Sequence, residues 1–418
     1  MTNLHTRFED LAGTSGPPTR LSADAVYIAA HRRRRRRQTT WTATGVLAGA
    51  LALGVGLQML RPAPEAPQPA QPTGGSVVSV AATDAKHLYA GVRTCPDDGC
   101  KIQLIGSDDG GRTWTVRQDD FGDGQVDAPA PGVLVHVTES EGDPSAQTGP
   151  KIVYTYHVST DGGRTWRDLQ AVGEAVAAVP ANGWVQCSQT TLEQPCRLLA
   201  ADPATGRLAP LADQPLLSIG LTAAAPGSPG TWITGHASTT DFRAAVALSH
   251  DRGRTWSLRT FGPASEENVA VSTVDGMTAY VVVSRVQSAT EPAATAAGNT
   301  LEVLRTTDGG QTWASTDAGH SLPSVFGYIQ QGDSYVSADG SHVVLSRDND
   351  RQQWYVSNDN GATYRAGTPA GLGDHLTVSG TRPPVQTTVP GVYLAFDDRA
   401  AYTSADGLHW TRVAIEPV

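Results

Sequence analysis

From about residue 76 onward the apolar positions come in short runs, some alternating with polar residues and some wholly apolar, and the runs end at Gly, Pro, Asp or Asn. A period of two in segments this short predicts β-strands, and the punctuating residues predict the turns between them. Residues 77–118 illustrate the unit: VVSVAAT, HLYAGVR, KIQLIGS and TWTVRQ follow one another, with polar turns between. Four such strands make one small sheet, and the pattern recurs about every 50 residues to the C-terminus. Helix is expected only near the N-terminus, between residues 22 and 60.

The repeat is anchored on an octapeptide of the form S-x-D-x-G-x-T-W. It stands at residues 107–114 and 159–166, and residues 249–256 keep every key position. Residues 306–313 substitute Thr for the first Ser, residues 357–364 end in Tyr, and a shortened copy runs from Thr403 through Asp406 and Gly407 to Trp410. The chemistry is that of a tight turn between strands. The carboxylate accepts bonds from backbone N–H groups ahead of it, the glycine takes a positive φ, and the aromatic ring buries a large surface between neighbouring sheets. The interval from 159 to 249 is double. Within it WVQCS and CRLLAADPATGRLAPL supply a unit whose octapeptide is replaced by residues 202–206. The units then number seven.

These motifs resemble the Asp-boxes (BNR repeats) of sialidase-like and photosystem-assembly-factor-like β-propellers, over roughly residues 76–418. The resemblance implies an all-β, seven-bladed β-propeller, with six blades as the alternative. It implies a structural role, on the face away from any ligand, for Asp109, Trp114, Asp161, Trp166, Asp251, Trp256, Asp308, Trp313, Asp359, Tyr364 and Trp410.

The N-terminal part has a different character. Residues 1–40 carry little apolar material, a candidate short helix at 22–31 with Ser22 as N-cap, and six consecutive arginines at 32–37. Residues 41–60 carry no charge over twenty positions, enough to cross a bilayer as one helix. Arginines directly before it predict a cytoplasmic N-terminus and a single-pass signal anchor. A cleaved signal peptide is the rival reading, opposed by the long leader and by the lack of a small-x-small site before the prolines. Residues 61–75 form a Pro-rich linker suited to a semi-rigid stalk. Everything beyond it, 76–418, is expected outside the cell.

Charge sharpens this division. Residues 1–61 hold nine Arg against Glu9, Asp10 and Asp24, a net of +6. The whole chain is −10, so the remainder carries −16, which speaks against nucleic acid or anionic lipid as its partner. Four cysteines fall in two local pairs, Cys95 with Cys100 and Cys187 with Cys196. In an exported domain these predict two hairpin disulfides, each stabilising by roughly 2 kcal/mol. Their spacing, without supporting histidines, fits a zinc site badly. No metal and no cofactor is expected. Residues 119–127 are rich in acids but lack the spacing of a calcium loop, and they read as a linker between sheets.

In a four-stranded meander the loops from second to third strand lie at the end opposite the octapeptides. Here they are residues 95–100, 139–150, 187–196, 236–243, 285–300, 347–353 and 397–400. Arg93, Arg285, Arg347 and Arg399 each end, or nearly end, a second strand, in units one, five, six and seven, which adjoin in a closed ring. Such an arc can grip a carboxylate bidentately and resembles the arginine triad of sialidases. The competing reading pairs each arginine with a neighbouring acid: Asp97 or Asp98, Asp348, Asp350, Asp397 and Asp398. Catalysis by the sialidase route would need a Tyr beside a Glu, an acid and an F/Y-R-I-P motif. The nearest sequence to that motif is residues 241–244, which lack Ile-Pro, and Tyr154, Tyr328 and Tyr393 are undistinguished candidates for the nucleophile. The catalytic residues stay unknown. The expected function is therefore non-catalytic binding of an extracytoplasmic protein or glycan at the cell membrane. An exo-α-sialidase-like glycoside hydrolase is the alternative, and the sensor part of a membrane-bound regulator a third.

Overall fold

The computed structural model describes residues 75–415 except 96–98, 123, 142–151, 189–196, 216, 225–229, 239–242, 263–266, 274, 286–300, 317–321, 323–333, 349–350, 373–384, 388 and 390. The expected cytoplasmic segment, anchor helix and linker, up to residue 74, lie outside the described residues. Among the described residues no helix is long and apolar enough to cross a membrane. Those residues belong to one compact unit, Gln71–Val418.

The strands form seven four-stranded sheets. Six of them are antiparallel meanders in chain order, built from strands within 76–118, 125–168, 218–260, 267–316, 334–366 and 385–414. Successive sheets pack face to face, and each junction has its own apolar cluster. The seventh junction joins the last sheet to the first. There Phe396, Ala401, Val413 and Ile415 pack on Val77, Ala90, Val92 and Ile105, with Leu394 on Leu88 beside them. Seven sheets closed on one another in this way are a seven-bladed β-propeller.

The polarity of each strand follows from its place in the blade. Third strands such as Lys101–Ser107 and Ala244–Ser249 are buried almost throughout, because both faces meet a neighbouring blade. This is why they read as continuous apolar runs rather than alternating ones. Fourth strands are short and mostly exposed, as in Thr115–Gln118 and Ser257–Thr260. Short outer strands leave little free edge for another chain to pair with.

The third blade departs from the rule. Its sheet contains Trp184–Ser188, Arg197–Asp202 and Arg207–Pro210, and the remaining place is filled by Gln170–Ala171. That short strand comes earlier in the chain and pairs parallel with Arg207–Pro210, Gln170 opposite Arg207 and Ala171 opposite Leu208. Two residues carry no period, so nothing in the residue pattern announces this strand. The shortened last copy of the octapeptide also begins one residue later than the pattern suggests. Ser404 Oγ, not Thr403, donates to Asp406 Oδ1 (3.0 Å), since Thr403 stands in register with Leu394 and Thr411 as an ordinary strand residue.

Cys95 and Cys100 are joined in a disulfide between the second and third strands of the first blade. Cys187 is also disulfide-bonded, and Cys196 lies outside the described residues.

Candidate functional site

The octapeptides fix which end of the ring is available. In each of the six meanders the octapeptide joins the third strand to the fourth. At residues 159–166, Ser159 Oγ donates to Asp161 Oδ1 (2.8 Å) and accepts from Gly163 N (2.9 Å). Asp161 Oδ1 accepts from Thr165 N (2.9 Å), and Oδ2 from Thr165 Oγ1 (2.6 Å). The same set recurs around Asp109, Asp251, Asp308 and Asp359. In the shortened copy His409 takes the place of Thr, its Nδ1 lying 2.7 Å from Asp406 Oδ2. In the third blade Asp202 keeps the Thr205 hydroxyl (2.7 Å) without the serine. The aromatic that closes each octapeptide packs into the junction with the preceding blade: Trp114, Trp166, Trp256, Trp313, Tyr364 and Trp410 in turn. These side chains are occupied in holding turns and junctions.

The hydrogen bonds leave a titration signature. At Asp109, Asp308 and Asp359 the N–H and hydroxyl of the following Thr hold the carboxyl at about 2. At Asp161 and Asp251 partial burial pulls upward, but the same bonds outweigh it and the value again falls to about 2. His342 titrates with the same consequence for a different reason. It is fully buried at the junction of blades five and six, stacked on Tyr280 at 4.3 Å with Nδ1 2.6 Å from the Tyr364 hydroxyl. Burial lowers it from 6.5 to about 3. In each case the unfolded chain binds protons at a higher pH than the folded one, so acid favours unfolding. We expect the melting temperature to fall in two stages. The first begins below pH 6.5, losing up to about 1.4 kcal/mol per pH unit from His342, and the second runs from about pH 4 to 2 as the carboxylates protonate. Thermal melts across this range check it, and His342→Phe should remove the first stage alone.

The opposite end of the sheets carries the loops from second to third strand. Arg93 lies in Leu88–Thr94 and Arg285 ends Ala279–Arg285. Arg347 lies in His342–Asp348, and Arg399 follows Tyr393–Phe396. All four backbone positions thus sit at or near one end of the second strands of blades five, six, seven and one, which are consecutive around the ring. Arg93 and Arg399 are exposed, and neither forms an ion pair among the described residues. Asp397 is not the partner of the Arg399 guanidinium. Its Oδ1 accepts from the N–H groups of Arg399 (2.8 Å) and Ala400 (2.7 Å), and its Oδ2 from the Tyr402 hydroxyl (2.8 Å). The carboxylate shapes the turn and leaves the arginine to solvent. Asp97, Asp98 and Asp350 lie outside the described residues.

Of the tyrosines, Tyr393 is a packing residue. It is 3% exposed, its hydroxyl donates to the Val336 carbonyl (3.0 Å), and burial pushes it up to about 12. Tyr154 is 37% exposed and stands opposite Glu139 in register. Tyr328 lies outside the described residues. In the acidic linker Asp119 is bound by Lys101 Nζ (3.2 Å) and Gln103 Nε2 (2.5 Å), and Phe121 is buried with its N–H on the Ile102 carbonyl. Those contacts tie the linker to the first blade.

No protein-family model matches the chain, and no curated protein matches it. Among solved structures it is similar to the β-propeller domain of the Trilobed protease from Pyrococcus furiosus, at 8% identity over 82% of this chain and 96% of that one (TM-score 0.45). It is also similar to the α-L-arabinofuranosidase arb93a of Fusarium graminearum, at 10% identity over 77% and 88% (TM-score 0.41). A third likeness is to YCF48 bound to D1 peptide, at 14% identity over 82% and 82% (TM-score 0.29). The class is defined by the chain's own sheets, a seven-bladed β-propeller.

Proposed function

We propose that this protein is a membrane-anchored, extracytoplasmic Asp-box propeller that binds an anionic protein or glycan without catalysing a reaction. The binding end is the one opposite the octapeptides. One observation carries the reading: backbone register brings Arg93, Arg285, Arg347 and Arg399 to the same end of four consecutive blades. Four arginines at one end of an otherwise acidic domain favour a carboxylate-bearing partner over a neutral one. The uncharged span 41–60, preceded by arginines, supports a single-pass anchor with the N-terminus inside.

The test is binding of the full chain, in detergent micelles, to an array of acidic and neutral glycans and peptides. Acidic partners should be retained, and Arg93→Gln with Arg399→Gln should weaken them about tenfold or more. Retention that ignores both substitutions would remove the arginine end from the function. A sialidase-like hydrolase is the second reading, favoured by the register that sets Tyr154 opposite Glu139. Release of fluorophore from an aryl-sialoside, lost in Tyr154→Phe, would establish it. A regulator role would show as capture of a transcription factor by residues 1–40.

A further inference from the structure

Between the fifth and sixth blades, on the octapeptide side of the ring, lies a groove of about 500 Å³. That size suits a small organic ligand. Arg305, Trp313, Ala314, Thr316, Asp359 and Asn360 line it. Arg305 directly precedes the octapeptide that begins at Thr306. The same place in the other five copies is held by Gly106, Val158, Leu248, Val356 and Thr403. Val158, Leu248 and Val356 each pack into the apolar cluster shared with the following blade. Only the fifth blade puts a charge where its siblings put an apolar or small residue.

The charge is also left without an acid. Arg305 stands in register with Tyr280 on one side and Ala314 on the other, so the three share the face that looks toward the sixth blade. Its guanidinium carbon lies 5.8 Å from the centre of the Tyr280 ring, a cation–π contact. Its Nε is buried and has no hydrogen-bond partner. Among the described residues it forms no ion pair. Asp359, in the same groove, is already engaged by Ser357 Oγ, Thr363 N and Thr363 Oγ1. A half-buried guanidinium without an acid beside it costs stability unless something supplies an anion. Retaining it at a position built for an apolar side chain points to a ligand that does.

We propose that this groove binds a monocarboxylated sugar of uronic-acid type, with its carboxylate on Arg305. The sugar's hydroxyls would meet Asp359, Asn360 and Thr316. A single negative charge is favoured over a phosphate or sulfate dianion because the Asp359 carboxylate repels the second charge. A lining of hydroxyl, amide and charged groups suits a polyol better than a hydrocarbon. The groove is at the opposite end of the blades from the four-arginine arc, and this inference does not rest on that one.

The experiment titrates D-glucuronate, D-glucose and inorganic sulfate into the full chain in detergent micelles, followed by calorimetry. Glucuronate should bind saturably, with glucose and sulfate at least about tenfold weaker. Arg305→Gln should lower glucuronate affinity by a similar factor. Ala314→Tyr should do the same by filling the groove from an exposed position on the short outer strand, which leaves the core untouched and guards against misfolding of the first variant. The proposal is overturned if the unsubstituted chain shows no saturable glucuronate binding, if glucose binds equally, or if both groove variants retain full affinity.

Discussion

Trp410→Ala is expected to lower the stability of the propeller by about 3–5 kcal/mol, the range for truncating a buried aromatic. Trp410 is 6% exposed at the junction of blades six and seven. Its indole N–H donates to the Gly407 carbonyl (3.1 Å), and its ring meets Tyr335 edge-on at 6.3 Å. Tyr335, Trp354, Tyr393 and Tyr402 belong to the same cluster, and four rings of fixed shape cannot collapse into the space left behind. Trp114→Ala should cost less, because that ring is only partly buried and its indole N–H has no partner. Denaturant midpoints at constant slope measure both. A loss below about 1 kcal/mol at Trp410 would mean that the junction is not what holds these blades together.

Gly111→Ala is expected to cost about 2–6 kcal/mol, from two terms that add. Gly111 has φ +87°, a conformation that resists a side chain by roughly 1–3 kcal/mol. A methyl group there would also run into Val413 Cγ1 of the last blade, and overpacking costs a further 1–3 kcal/mol. Gly340, with φ +86°, has nothing near its missing Cβ. Gly340→Ala should therefore show the backbone term alone, and the difference between the two variants isolates the clash. Equal losses would place Val413 away from the turn.

The strand content and blade number were legible because the octapeptide is local chemistry. Its Ser, Asp, Gly and Thr bond to one another within a few residues, so the turn is written in adjacent positions. The buried third strands read easily for the same reason: a run such as AAVALS needs no knowledge of its neighbour. What could not be read is long-range. The strand Gln170–Ala171 exists only because Arg207–Pro210 offers it an edge. The position of Arg305 looks unremarkable until six copies are superposed by their turns, and its exceptional character depends on which face meets the next blade. Comparing the residue before each octapeptide would have flagged it. The placing of Arg93, Arg285, Arg347 and Arg399 at or near second-strand ends was legible, since turn chemistry marks where second strands stop, whereas the pairing of Asp397 with backbone and Tyr402 was not.

The closure of the ring has a consequence for how the chain may be cut. Among the described residues no blade mixes strands from the first and last parts of the propeller; the first blade is built from residues 76–118 and the last from 385–414. Val77 and Ile415 nonetheless share one apolar cluster, and the Val77 N–H bonds the Asp398 carbonyl at 2.9 Å. The first and last blades are thus held by an apolar cluster and a backbone bond rather than by a shared sheet. A short tether could therefore join them, and new termini could open in the linker between the fourth and fifth blades without dividing any sheet. The order in which the blades are synthesised is thus separable from the ring they form.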